Sequence, residues 1–437
     1  MVRAEKEVVL YFAGWNLNRE NTGHSGEVCA LPWEHVSCIN HAFWAVEPAD
    51  GTTETSVQRR LRGAPARTAW RIVPLHPECD ETDTAPSAVS PELPRGHFAQ
   101  YAAMHAKWPD VRILLSIGGW TRCGFFSEMA AAPEGRASFI ESCLAVLRRY
   151  VWLDGLDIDW EYPACARQAD ADDPDGDEGC AVFASEDADR ENFTALLREL
   201  RAAMDAAFGK NEKRLTACAS GAVDGALARQ NWAAAAPYLD FINIMSYDLA
   251  GVWDGVSGHA SGAAKTAEAA AYLMQAGVPA EKICIGSPLY GTVMRLKDVP
   301  DGPESVFGAP VEPVRPVRTP VNETMLCRFA AEAVSGYTLC ERDGRIVMDS
   351  RFDRGGGGWH TEYDAQNGAA WMYNDAEGSK YARWFISYED LLSLQEKLDM
   401  IHKNGLGGMI VWEADQDTEN NAFLAQMDRG LRANDDK

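Results

Sequence analysis

The stretch Leu153-Asp154-Gly155-Leu156-Asp157-Ile158-Asp159-Trp160-Glu161-Tyr162-Pro163 limits what this chain can become more than any other. Its apolar residues and the closing proline read as a short buried strand. Alternate side chains of a strand point to opposite faces, so Asp157, Asp159 and Glu161 share one face. Leu156, Ile158 and Trp160 share the other and suit packing against a helix. Three carboxyl groups on one buried face repel each other and resist desolvation. At least one of them must hold its proton near neutral pH or be gripped by strong hydrogen bonds. Acid–base chemistry has a use for that arrangement, whereas a fold does not need it. A metal centre is the weaker reading of the stretch, because no His lies nearby and no Asp-rich calcium loop is present. No metal or other cofactor is expected there.

The rest of the chain gives that strand its neighbours. Eight short apolar runs recur in order: Val8 to Tyr11, Val36 to Phe43, Val111 to Ile117, Leu153 to Glu161, Leu215 to Ala219, Phe241 to Tyr247, Ile283 to Leu289 and Gly408 to Trp412. Amphipathic helical patterns connect several of them. Phe139, Cys143, Val146 and Tyr150 fall on one helical face, as do Phe193, Leu197, Leu200 and Met204. Another helix is expected behind Ser387 and Asp390 in capping-box spacing, with Gly405 to stop it. Eightfold alternation of strand and helix predicts an α/β fold, a (β/α)8 TIM barrel.

Three segments interrupt the rhythm. Residues 45 to 95 read as a long polar excursion, and residues 164 to 187 as a solvated, Asp-rich loop. Residues 291 to 385 are far too long for a βα loop. Their alternating runs (Gly336 to Cys340, Arg345 to Met348, Ala369 to Tyr373) predict an α+β insertion domain between strand seven and helix seven. The barrel would then comprise residues 1–290 and 386–437.

Composition narrows the partners. A formal charge of −24 over 437 residues argues against nucleic acid and against anionic membrane surfaces. Fourteen Trp exceed what a core requires, and Trp in a cleft stacks well on sugar rings. The chain opens without an apolar leader, and its 11 Cys are an odd number. Cys38, Cys218 and Cys284 lie in apolar runs. Both features favour a reducing compartment, with secretion the expectation if a leader was trimmed. Cys165 and Cys180 flank a loop and are placed to pair if the protein is exported.

Barrels of this kind carry their chemistry at the C-terminal ends of the strands. Those ends here are Tyr11, Phe43, Ser116 with Gly118, Gly119 and Trp120, the three carboxylates, Met245 with Tyr247 and Asp248, Tyr290, and Trp412. A mouth lined by Tyr, Trp, Asp and Glu describes a carbohydrate pocket better than a phosphate or hydride site.

The run Asp154-Gly-Leu-Asp157-Ile-Asp159-Trp-Glu161 resembles the signature of glycoside hydrolase family 18, the chitinase family. Ser116-Ile-Gly118-Gly119, Met245-Ser-Tyr247-Asp248 and Gly407-Gly408-Met-Ile-Val-Trp412-Glu resemble three further motifs of that family, in the right order along nearly the whole chain. The resemblance implies a chitinase that hydrolyses β-1,4 bonds between N-acetylglucosamine units. Glu161 would be the general acid, and the sugar's own acetamido group the nucleophile. Asp159 would orient the acetamido N–H, Tyr247 would donate to its carbonyl, and Asp157 would share a proton with Asp159. Ser116 and Asp154 would support them. Trp412 would floor the pocket, Trp120 and Trp253 would be stacking platforms, and Asp248, Met245, Tyr11, Phe43 and Tyr290 would contact sugar. The expected partner is chitin or its oligosaccharides, bound by a monomer. Where the family often has Arg after the Tyr-Gly of strand seven, this chain has Thr292, with Arg295 nearby. A non-catalytic chitin-binding lectin is the first alternative, disfavoured by the presence of Glu161. An endo-acting enzyme on N-linked glycans or peptidoglycan is the second.

Overall fold

Strand β1 (Glu7–Ala13) shows how the chain sorts its side chains. Val8, Leu10 and Phe12 pack outward among helices, while Val9 and Tyr11 join a separate inner cluster with Cys38, Leu114, Phe241, Met245 and Ile410. The same alternation repeats on each strand of a closed parallel ring. The computed structural model describes residues 6–18, 26–171, 173, 176–313, 338–342, 345–349, 358–378, 382–417 and 421–432, with backbone alone for 338–342 and 345–349.

The ring is made by β1, β2 (Cys38–Pro48), β4 (Arg112–Gly118), β5 (Gly155–Asp159), β6 (Arg214–Ser220), β7 (Phe241–Met245), β8 (Ile283–Pro288) and β15 (Gly408–Trp412). These strands pair in sequence order, and β1 pairs with both β15 and β2, which closes the barrel. The eight apolar runs are these eight strands. Long helices such as Pro133–Arg149 and Glu186–Phe208 cover the outside. Trp160, just past the end of β5, stacks on Phe126 at 5.5 Å and meets Phe193 edge-on at 6.0 Å, so the apolar side of the carboxylate strand is gripped by two helices. Among the described residues no helix is long and apolar enough to cross a membrane.

The excursion after β2 is less irregular than its polarity suggests. Trp70–Pro74 forms a further strand, β3, antiparallel to the extended end of β2. The loop after β5 is likewise anchored: Arg167 and Cys180 exchange backbone hydrogen bonds, and the Arg167 guanidinium pairs with the nearly buried Asp177. Cys165 and Cys180 are free thiols, and Cys180 lies beside Cys123 as its backbone-bridge partner. One of the loop's acids, Asp177, is thus paired within the loop, and another, Glu178, pairs with Arg122 outside it, while Asp170 is exposed.

Between β8 and the helix Leu391–Asn404 the chain builds a four-stranded antiparallel sheet of β12 (Trp359–Asp364), β13 (Ala369–Asn374), β14 (Trp384–Tyr388) and β9 (Thr292–Arg295). A separate hairpin joins β10 (Thr338–Arg342) to β11 (Arg345–Asp349). The sheet has its own core, in which Met294, Leu296, Trp371, Tyr373 and Phe385 bury Val306, Val311 and the barrel-loop residue Ala250. One helical turn, Pro303–Ser305, lies in this segment; any longer helix between 314 and 337 falls outside the described residues. The next helix is capped by Asp390, whose carboxylate accepts from Leu392 and Ser393, and Gly405 ends it in a left-handed conformation. Ser387, expected in that cap, instead accepts from the backbone of Ala260.

Candidate active site

Asp157 is the most heavily bonded group in the barrel bore. Its Oδ2 accepts from Tyr11 (2.9 Å), Ser116 (2.8 Å) and the Cys218 thiol (3.5 Å), and its Oδ1 from Thr216 (2.5 Å) and Asn243 (3.1 Å). Strands β1, β4, β6 and β7 each send a donor to this one side chain, so it is fixed in position and both oxygens are occupied.

Asp159, two residues on, is treated in the opposite way. It is buried, and its Oδ1 has no hydrogen-bond partner among the described residues. Burial pushes its carboxyl well above the usual range, and the charges of Glu161 and Asp157 push it further, against a smaller pull from the Cys218 thiol. The two Asp are therefore held differently: Asp157 sits in a cage of donors, while burial and the neighbouring acids favour the protonated form of Asp159.

Glu161 follows β5 at the edge of the mouth, 8% exposed. Its backbone N–H donates to Cys123 Sγ at 3.0 Å, and that thiol lies against the carbonyls of Gly119 and Asp159. The glycines of the third-strand motif make this approach possible. A Cβ on Gly118 would stand 2.2 Å from the Asp159 carbonyl, and one on Gly119 would enter the Phe43 ring. Both have positive φ, +114° and +83°, a region that L side chains rarely adopt.

Aromatic groups line the rest of the mouth. Trp412 stacks on Phe43 at 5.6 Å and lies 5.8 Å from Tyr11. Tyr247 meets Tyr290 edge-on at 6.3 Å, and a side-chain hydrogen bond joins Tyr290 to Asp248. Burial and the neighbouring acids hold the Tyr247 and Tyr11 hydroxyls well above their ordinary pKa, which keeps both as donors. Met245 is buried in the bore cluster beneath them. Trp120 and Trp253 are 40% and 59% exposed, so neither belongs to the core; the Arg167 guanidinium lies over Trp120 at 4.0 Å.

One expected position falls elsewhere. Asp154 accepts from Arg112 (3.1 Å) and from the backbone of Ile113 (3.0 Å), and pairs with His105, at the opposite end of β5. It supports the foot of the strand, not the pocket. Arg295 reaches Glu312 at 3.5 Å within the insertion. Four groups were not anticipated. Thr216, Cys218 and Asn243 hold Asp157, and their alternation along the inward faces of β6 and β7 was the available signal. Tyr162 bonds Glu161 through its hydroxyl, and nothing in its sequence context marks it.

The model of Glycosyl hydrolases family 18 matches residues 7–417. The chain belongs to glycoside hydrolase family 18. It is 29% identical to Chitinase A1 of Niallia circulans over 74% of its length, and 27% identical to Chitinase A of Pseudoalteromonas piscicida over 97%. It spans 43% and 52% of those two proteins, about half of each. In fold it resembles the Group IV chitinase of Ostrinia furnacalis, with a TM-score of 0.68 at 22% identity, covering 98% of this chain and 99% of that one. The same chitinase has also been crystallised with allosamidin.

Proposed function

We propose that this family 18 chain is a chitinase, cleaving β-1,4 bonds between N-acetylglucosamine units with retention of configuration. One observation carries the reading: of the three carboxyl groups on this face, Asp157 is caged by protein donors and Asp159 is buried beside it, which leaves Glu161 at the edge of the mouth as the proton donor and none placed as a nucleophile. Asp157 has both oxygens taken by protein donors, and burial and the neighbouring acids raise the Asp159 carboxyl well above its usual range. A retaining glycosidase built this way must draw its nucleophile from the substrate, and an acetamido carbonyl beside the anomeric carbon is suited to the task.

In this mechanism Glu161 donates its proton to the glycosidic oxygen while the acetamido oxygen closes on the anomeric carbon, giving an oxazolinium ion. Asp159 rotates toward the acetamido N–H, and the charge of the caged Asp157 behind it supports the developing positive charge. Tyr247 donates to the acetamido oxygen. Trp412, with Phe43 behind it, supports the sugar ring from below. Glu161 then takes a proton from the water that opens the ring.

Replacing Glu161 by Gln tests the assignment. Oligosaccharide binding by calorimetry should persist, while turnover should fall by about 10²–10⁴. Undiminished turnover would overturn the role of Glu161, and binding without turnover in the wild type would point to a lectin. The first-formed sugar should be the β anomer by proton NMR, and appearance of the α anomer would rule out the substrate-assisted route. Cleavage of N-linked glycans or peptidoglycan in preference to chitin oligomers would move the substrate class.

A further inference from the structure

Outside the mouth, one buried cluster is not used by the reaction. His41 on β2, Asp80 in the turn Glu78–Thr82 and His97, the first residue of the helix His97–Lys107, converge behind the barrel wall with all three side chains at most 2% exposed. His41 Nε2 lies 3.0 Å and His97 Nδ1 3.1 Å from Asp80 Oδ1, and the three atoms lie within 4.8 Å of one another. Ligands of a tetrahedral ion bonded at about 2.0–2.1 Å stand about 3.3–3.4 Å apart, close to the two separations from Asp80 Oδ1.

The outer partners are more informative than the spacing. His97 turns its other nitrogen, Nε2, to the carbonyl of Gly26 at 3.2 Å. Asp80 turns its other oxygen, Oδ2, to the indole N–H of Trp44 at 3.2 Å. His41 turns Nδ1 to the Tyr101 hydroxyl at 3.4 Å. Each of the three thus has its remote atom held by a hydrogen bond and its near atom beside those of the other two, as metal-binding side chains are often supported. Hydrogen bonding alone explains the cluster less well. Both nitrogens of His97 face acceptors, so hydrogen bonding alone needs a buried imidazolium there, whereas a metal ion on Nδ1 needs only the one N–H at Nε2. His41 Nε2 lies 3.0 Å from Asp80 Oδ1 yet is poorly aligned for a hydrogen bond to it.

We propose that His41, Asp80 and His97 bind a divalent transition-metal ion, with zinc the best match to two imidazoles and one carboxylate. The ion is structural. It joins three segments far apart in sequence: β2, whose next residues lead to Phe43 in the pocket, the excursion at Asp80, and the helix that follows. Three protein ligands leave one position of a tetrahedral ion for a water-sized oxygen ligand. The site lies apart from the carboxylate face and needs no part in the chemistry there.

The test uses the full chain, grown with added zinc and desalted. Metal analysis should find close to one zinc per chain, removed by dialysis against a chelator and restored by zinc chloride alone. Restored zinc should raise the melting temperature by a few degrees, and cobalt(II) in its place should give visible ligand-field absorption. His97→Gln and Asp80→Asn, which keep side-chain size, should lose the metal and the melting shift. If those variants do not fold, the wild-type metal content, chelator sensitivity and cobalt spectrum decide alone. Wild-type protein that takes up no zinc and shows no shift would overturn the proposal, leaving a hydrogen-bonded His–Asp–His cluster. Folded variants that bind zinc as well as the wild type would also overturn it.

Discussion

Asp159 carries a cost that can be measured. In an unfolded chain its carboxyl loses the proton near 3.9, while burial and the charges of Glu161 and Asp157 make the folded group hold it to much higher pH. Between those two values the unfolded state binds fewer protons than the folded state, so stability falls as pH rises through the window. Asp159→Asn removes the titration. Thermal unfolding from pH 4 to pH 8 should show the variant gaining on the wild type as pH increases, while its activity is largely lost. A pH-independent difference between the two would show that Asp159 is not the protonated partner. The crowding of these acids was legible in the sequence, because strand alternation alone places Asp157, Asp159 and Glu161 on one face. How the crowding resolves was not, since Tyr11, Thr216, Cys218 and Asn243 reach Asp157 from strands 59 to 146 positions away in the chain. Asp154 shows the opposite lesson: it lies within the signature, yet its side chain works at the foot of the strand.

Among the elements, the junction of β4 with β5 is the least tolerant. Gly119 N–H donates to the Asp159 carbonyl at 2.8 Å, and Gly118 passes so close that any side chain there meets that carbonyl. Gly118→Ala combines a backbone conformation disfavoured for L residues with overpacking against main chain. A loss of at least about 2 kcal/mol is expected, visible as a lower urea midpoint, together with reduced turnover as Glu161 and Asp159 shift. Stability equal to the wild type would mean that the two strand ends part without penalty. The eight barrel strands were legible because each is a short apolar run between polar segments. Strand β3 was not, since Trp70-Arg-Ile-Val-Pro is brief and sits in a polar stretch; its regularity comes from pairing with an unusually long β2. The helix cap shifted by one turn for a similar reason, because Ser387 was drawn into a sheet that only tertiary contacts create.

At the scale of the whole molecule, the inserted sheet and the mouth are joined through the loop that carries Trp253. Ser257 N–H donates to Ala309 at 2.9 Å, Gly308 to Ser257 at 3.0 Å and Val311 to Gly255 at 3.1 Å, while Ala250 is buried in the insertion's own core. The sheet therefore braces a loop whose indole is 59% exposed. Periodicity in the sequence announced an extra β-rich segment after strand seven, but gave no sign that its anchorage is to the loop after strand six. If Trp253 stacks on a sugar remote from the cleavage point, its binding energy supports the reaction at a distance and should appear in kcat/KM for long substrates. Trp253→Ala is expected to lower kcat/KM on long chitin oligomers by about tenfold, equivalent to ~1.4 kcal/mol, while leaving the shortest cleavable oligomer nearly unchanged. Because the ring is mostly exposed, the melting temperature should move little. Equal losses on long and short oligomers would show that the loop shapes the reacting centre itself. An unchanged long-to-short ratio with full activity would show that the insertion braces the barrel without extending the cleft.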